Sequence, residues 1–260
     1  MIGETAAPKG GRRMTGDFMD NKVLEIRHLT KRYGAKVAVD DLSLDVCAGD
    51  IYGFIGQNGA GKTTTLRAVT GILGFDEGEI FIDGNSVKEK PVLCKSLTAY
   101  IPDNPDLYEY LTGIQYLNFM GDVYEVPLDK RKERIDKYAA MFRIAGDLGS
   151  LVSAYSHGMK QKLAIIGALL HEPKLMVLDE PFVGLDPEAA FKLKEVFRQM
   201  CAAGSAIFFS THVLDVAEKL CNKIAIIKGG KLMADGDIDA VRGDESLEEV
   251  FLEVLESHEK

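Results

Sequence analysis

Apolar and polar positions change rhythm several times along this chain. Residues 23–26 read as a first strand, and 30–34, with its lysine, arginine and glycine, as a loop. Residues 37–46 alternate apolar with polar, as expected of an antiparallel strand with one covered face. Residues 51–55 are apolar without a break and predict a buried strand; 65–69 begin a helix that ends near Gly71. A further strand is expected over 79–84, closed by a turn, and a short apolar run over 97–101 stops at Pro102.

Between about residues 103 and 171 the texture becomes helical. Helices are predicted over 111–120, 128–144 and 159–170, with little strand signal between them, which points to an inserted all-helical subdomain. Parallel-sheet features then return. The run 175–178 is continuously apolar, as in a strand covered on both faces. A helix over 187–200 has Pro187 in its first turn. It is followed by a buried strand (206–209), a helix (213–221), a strand (224–227), a hairpin turn (228–231) and an amphipathic helix over 246–255. The pattern as a whole predicts an α/β fold, a mainly parallel sheet with helices on both faces. An antiparallel β subdomain and the helical insertion complete it.

Composition narrows the function classes. The 260 residues are 46% hydrophobic and 27% charged, a globular profile that fits one large α/β domain with an inserted subdomain. A net charge of -9 argues against nucleic acid as the main partner. Cys47, Cys94, Cys201 and Cys221 are scattered without a C-x-x-C pair, which suits reduced thiols better than a disulfide or metal framework. No apolar run approaches the roughly 18 residues of a membrane helix, so work at a membrane requires another chain to span it. Residues 1–21 lack the apolar centre of a signal peptide and are expected to be a disordered tail, with Met14 and Met19 as alternative starts. The domain proper is expected over 22–258.

Candidate chemistry centres on Gly56-Gln57-Asn58-Gly59-Ala60-Gly61-Lys62-Thr63-Thr64, which matches the phosphate-loop pattern G-x-x-x-x-G-K-[ST] between a strand and a helix. Unpaired N–H groups at a helix start bind phosphate oxygens, and glycine lets the backbone come close. Lys62 supplies a charge for the β- and γ-phosphates, and the Thr63 hydroxyl suits Mg²⁺, which takes oxygen donors. Asp179 and Glu180 end the apolar strand 175–178. The first is placed to order Mg²⁺ and the second to accept a proton from attacking water. Three further residues stand open between a functional and a packing role. Ser156 caps a helix start that can bind phosphate, or caps it and nothing more. His212 follows a buried strand and can hydrogen-bond a γ-phosphate. Tyr33 can stack on adenine.

Together these residues resemble the ATP-binding subunit of an ABC transporter. The order matches that family: Tyr33, the Walker A loop at 56–63, a loop after Tyr100-Ile101-Pro102, a signature at 156–161, Walker B ending in Asp179 with Glu180, a D-loop of Gly184-Leu185-Asp186-Pro187, and the switch His212. The resemblance spans nearly everything from about residue 23 to residue 255. It implies two ATPase domains packed head to tail around two ATP molecules. Ser156 and Gly158 of one chain would then meet the γ-phosphate held by the other, and Asp186 would communicate across the pair. The second chain would be a copy of this one or a second ATPase subunit. Closure would drive polytopic membrane subunits through the helical insertion, at the cytoplasmic face of the cell membrane.

Two motifs depart from the family pattern. The signature reads Tyr-Ser-His-Gly-Met-Lys-Gln, with His157 and Met159 in place of a glycine and a glutamine. Asp103 stands where the loop after strand and proline usually has a glutamine, and is counted here as a candidate Mg²⁺ and nucleotide contact. The motifs Ile-Pro-Asp-Asn-Pro-Asp-Leu-Tyr-Glu and Glu-Pro-Phe-x-Gly-Leu-Asp-Pro are similar to bacterial export-type subunits of the multidrug, bacitracin-resistance and Ecs types. The alternative is a soluble ABC ATPase in translation or DNA maintenance. The single site set and the absence of a long coiled-coil pattern count against it, as Glu180 and His212 count against a module that binds ATP without turnover.

Overall fold

Two sheets organise residues 21–256, the part of the chain described by the computed structural model. The expected tail therefore falls, but for Asn21, outside the described residues, as do residues 257–260. The smaller sheet is antiparallel. It is built from β1 (Lys22–Tyr33), β2 (Lys36–Cys47), β4 (Glu77–Ile82) and β5 (Asn85–Ser86), in the order β2-β1-β4-β5. In the larger sheet β3 (Ile51–Ile55), β6 (Thr98–Ile101), β7 (Leu175–Asp179), β8 (Ala206–Thr211) and β9 (Lys223–Lys228) run parallel, and β10 (Lys231–Asp237) pairs antiparallel with β9. Its order is β10-β9-β3-β8-β7-β6.

Burial on both faces explains why these strands read as unbroken apolar runs. Successive residues of β3, β7 and β8 point to opposite faces. Ile51, Ile55, Met176, Leu178, Ile207 and Phe209 join the core on the side of the helical insertion. Tyr52, Phe54, Leu175, Val177 and Phe208 join a second core under the antiparallel sheet. Each of Phe54, Phe208 and Phe209 is fully covered, which contributes about 1.5–3 kcal/mol per side chain. The helices are α1 (Lys62–Val69), α2 (Pro91–Leu97), α3 (Gly113–Val123), α4 (Leu128–Met141), α5 (His157–Leu169), α6 (Pro187–Ala202), α7 (Leu214–Leu220), α8 (Ile238–Arg242) and α9 (Leu247–Glu256). Helices α3, α4 and α5 lie between β6 and β7 and pack on one another.

One local expectation needs correction, and two elements carry no clear signal in the sequence. The predicted loop over 30–34 is strand as far as Tyr33. Lys31, Arg32 and Tyr33 pair with Val39, Val37 and Lys36, and backbone pairing across the hairpin outweighs the polar side chains. Helix α2 had no periodic signal: Val92 is 81% exposed and Cys94 is its one buried residue. Strand β10 is an edge strand with no fully buried residue, so its alternation is weak.

Parallel order has a functional consequence. Strands β3, β8, β7 and β6 are neighbours, so the loops after their C-terminal ends open on one edge of the sheet. Ligands of open α/β sheets bind at that edge. The phosphate loop follows β3, His212 follows β8, Glu180 follows β7, and Asp103 follows β6.

Candidate functional site

The phosphate loop is fixed by what glycine lacks. Gly61 caps α1 with φ 112°, and a Cβ there would stand 2.5 Å from the Ala38 carbonyl oxygen. A Cβ at Gly56 would stand 2.6 Å from the Ile227 carbonyl oxygen. Gly59 has open space around it but a φ of +81°. Gly56 therefore answers to packing, Gly59 to backbone conformation, and Gly61 to both. The first turn of α1 carries no acidic residue, and no side chain caps it. Its N–H dipoles face the cleft without competition from a protein carboxylate.

Lys62 is buried at the floor. Its ammonium donates to the Gly56 carbonyl at 2.5 Å and lies 3.7 Å from Glu180 Oε1. Burial lowers its pKa, against the opposing pull of Glu180 and Asp179. Asp179 is also buried. One carboxylate oxygen accepts from Thr63 Oγ1 at 2.6 Å and the other from Ser210 Oγ at 2.5 Å. The register makes this possible, because Asp179 and Ser210 are direct partners across β7 and β8.

Glu180 adopts φ 49°, a left-handed conformation uncommon for a residue with a side chain and costing about 1–3 kcal/mol. Its N–H holds that turn by donating to Ser210 Oγ at 3.1 Å and to the Ser210 carbonyl at 3.2 Å. The carboxylate reaches His212 Nδ1 at 2.8 Å. Side-chain exposure is 13% for Glu180 and 53% for His212, so the imidazole forms the outer wall and the carboxylate sits within.

These groups border one cleft of about 280 Å³. Tyr33, Asn58, Gly59, Gly61, Lys62, Thr63, Thr64, Asp103, Asp179 and Glu180, all singled out from the sequence, line it. Gly56 and His212 stand against it through Lys62 and Glu180. Ala60 is buried beneath the loop and does not line the cleft. Tyr33 is half exposed at the mouth, with the Lys31 ammonium 5.4 Å from its ring. Sequence reasoning missed Lys36, Ala38, Gln57 and Ser210. Lys36 pairs with Tyr33 across the hairpin, and Ala38 is read only through its carbonyl. Gln57 lay inside the motif as a variable position. Only the β7–β8 register brings out Ser210.

Ser156, Gly158 and Asp186 do not border this cleft. Ser156 caps α5, accepting from Met159 N–H at 3.3 Å. Asp186 caps α6, accepting from Ala189 N–H at 2.9 Å. They form a second cluster with an exposed helix start.

The ABC transporter family profile matches residues 39–183, which include the phosphate loop, the signature turn and Glu180. The chain belongs to that family. Among similar proteins, the ABC-type transporter ATP-binding protein EcsA of Bacillus subtilis is 33% identical, over 89% of this chain and 96% of that one. The Nod factor export ATP-binding protein I of Cupriavidus metallidurans is 32% identical, over 82% and 71%. A solved ATP binding subunit of an ABC transporter is 35% identical, covers 90% of this chain and 99% of its own, and superimposes with a TM-score of 0.87. The chain is thus an ATP-binding and ATP-hydrolysing subunit of an ABC transporter, with the P-loop NTPase core and added subdomains of that family. No helix among the described residues is long and apolar enough to cross a membrane.

Proposed function

We propose that this subunit binds Mg²⁺-ATP and pairs head to tail with a second ATPase chain. Hydrolysis then drives export through separate polytopic membrane subunits at the cytoplasmic face of the membrane. The observation that carries this reading is the convergence of Lys62, Thr63, Asp179, Glu180 and His212, from the ends of three neighbouring parallel strands, on one cleft.

In this reading the α1 N–H groups and Lys62 hold the β- and γ-phosphates, and Tyr33 stacks on adenine. Asn58, Gly59, Ala60 and Thr64 complete the loop around the phosphates. Thr63 Oγ1 and the Asp179 carboxylate already lie within one hydrogen bond of each other, and Asp103 lines the same cleft. Their hard oxygens fit Mg²⁺, which keeps most of its waters and takes few protein ligands. The bound ion would offset phosphate charge. Glu180 is placed to accept the proton of the attacking water, and the His212 imidazole to hold both that carboxylate and the γ-phosphate. Lys62 must leave the Gly56 carbonyl to meet phosphate, an exchange of one acceptor for a stronger, charged one.

This cleft lacks Ser156, Gly158 and Asp186, and that supports the head-to-tail pair, whether with a copy of this chain or with another ATPase subunit. The exposed start of α5 then completes the neighbour's site. An exposed aromatic group on and beside the helical insertion supports the membrane contact. Tyr108 lies 5.9 Å from Tyr110 and 5.3 Å from Phe119, and all three are at least 40% exposed. The test is recovery of the tagged protein from native membranes in mild detergent, with partners identified by mass spectrometry. A stoichiometric polytopic membrane protein is expected. Recovery only with ribosomes or DNA would replace transport by the alternative role.

A further inference from the structure

The signature turn and the loop after Glu180 are fastened to each other inside one chain. Gly158 lies so close to that loop that a Cβ there would stand 2.6 Å from the Gly184 carbonyl oxygen. Gly184 has φ +79°, and a Cβ on it would stand 2.5 Å from His157 Cδ2. One turn further along α5, the Lys162 ammonium reaches Asp186 Oδ2 at 2.6 Å while Asp186 Oδ1 caps α6. The Lys162 side chain is 15% exposed, and its hydrogen bond draws the Asp186 carboxyl below the usual carboxylate range.

The loop between Glu180 and Asp186 has little slack. Pro181 restricts its start. Phe182 packs edge-on against Phe197 and Phe209, and Val183 N–H returns to the Glu180 carbonyl at 3.1 Å. A displacement of Asp186 therefore reaches Glu180. The two glycine contacts resist compression strongly but separation only weakly, since each atom pair in van der Waals contact gains just about 0.1–0.2 kcal/mol. An ion pair resists separation as well.

We propose that Lys162 is a positioning residue that makes the signature end of α5 and the catalytic loop one lever. Contact of Ser156 and Gly158 with the partner's nucleotide then sets the position of Glu180 in this chain's own cleft. This rests on the head-to-tail reading above. It makes hydrolysis at one site answer to occupancy of the other through a residue that touches neither nucleotide.

The test compares Lys162→Met, which keeps the stem and removes the charge, with Lys162→Arg, which keeps the charge. Asp186→Asn serves as an independent variant, because asparagine still caps α6 while losing the ion pair. Steady-state ATPase of the full chain and its thermal midpoint are measured for each. Lys162→Met and Asp186→Asn are each expected to lower kcat about tenfold while the KM for ATP stays within about twofold. The double variant should fall no further than either single one, and Lys162→Arg should recover most of the rate. Unchanged kcat in both single variants would overturn the lever. So would losses that multiply in the double variant, or rates that merely follow the thermal midpoint across the series. A Glu180→Gln control separates the two readings. If it dimerises with Mg-ATP and Lys162→Met keeps its rate, the lever alone is wrong; if it stays monomeric, pairing with a copy of this chain and the lever acting across that pair fall together.

Discussion

Replacing Ser210 by alanine is expected to damage the site although this residue touches no nucleotide. Ser210 is fully buried, and its hydroxyl serves two partners. It donates to Asp179 Oδ1 at 2.5 Å and accepts from the Glu180 N–H at 3.1 Å. The second loss is small, because the same N–H also reaches the Ser210 carbonyl at 3.2 Å. The first is larger, because a hydrogen bond to a charged group contributes about 1.5–3 kcal/mol, and Asp179, a residue only 5% exposed, gains little water in exchange. Ser210→Ala should therefore destabilise the nucleotide-free fold by about 2 kcal/mol, a fall in thermal midpoint of roughly 4 °C for a chain of this size. Asp179 would retain its Thr63 bond but lose the partner that fixes its rotation. Loss of such an orienting partner typically costs a metal ligand 10–100-fold in affinity, so the Mg²⁺ concentration for half-maximal ATPase should rise by about that factor. Denaturant unfolding without nucleotide and a Mg²⁺ titration of ATPase read the two effects separately. A variant with wild-type midpoint and Mg²⁺ requirement would refute the claim that Ser210 orients Asp179.

Two more outcomes follow from the same geometry. Lys62→Ala should abolish measurable ATP binding by calorimetry, since it removes the buried cation that meets both the phosphate loop and Glu180; unchanged affinity would end the phosphate-loop assignment. His171 stacks on Tyr124 with ring centroids 3.7 Å apart, and burial lowers its pKa from 6.5 to about 4. Between those values the unfolded chain binds a proton that the folded one refuses. Its contribution is therefore fully present above pH 6.5 and is lost as pH falls towards 4, by up to about 3 kcal/mol. Urea midpoints at pH 7.5, 6 and 5 should fall steadily, and His171→Phe should flatten that part of the slope; an equally steep slope in the variant would place the effect elsewhere.

Much of the cleft was legible in the sequence because its chemistry sits in contiguous motifs at strand ends. The phosphate loop, Asp179 with Glu180, and His212 each follow an apolar run, and the parallel sheet sets those runs side by side. What was not legible depends on contacts between distant segments. Ser210 looks like any residue of a buried strand until the register sets it opposite Asp179. Ala38 enters through a backbone carbonyl that no sequence pattern announces. The strand character of Thr30 to Tyr33 comes from pairing with β2, not from its own side chains. Helix α2 escaped notice because it covers almost nothing. Lys162 was passed over for a similar reason: its partner lies 24 residues away, at the cap of another helix.

In a head-to-tail pair of this chain with its own copy, the two close around ATP and each completes the other's site. Light scattering of Glu180→Gln with Mg-ATP tests it most directly, because hydrolysis is blocked while Lys62, Thr63 and Asp179 remain in place to bind. A species of twice the 28.5 kDa chain mass is expected, reverting to monomer when Mg-ATP is removed. A species that stays monomeric at saturating Mg-ATP would contradict pairing between copies of this chain.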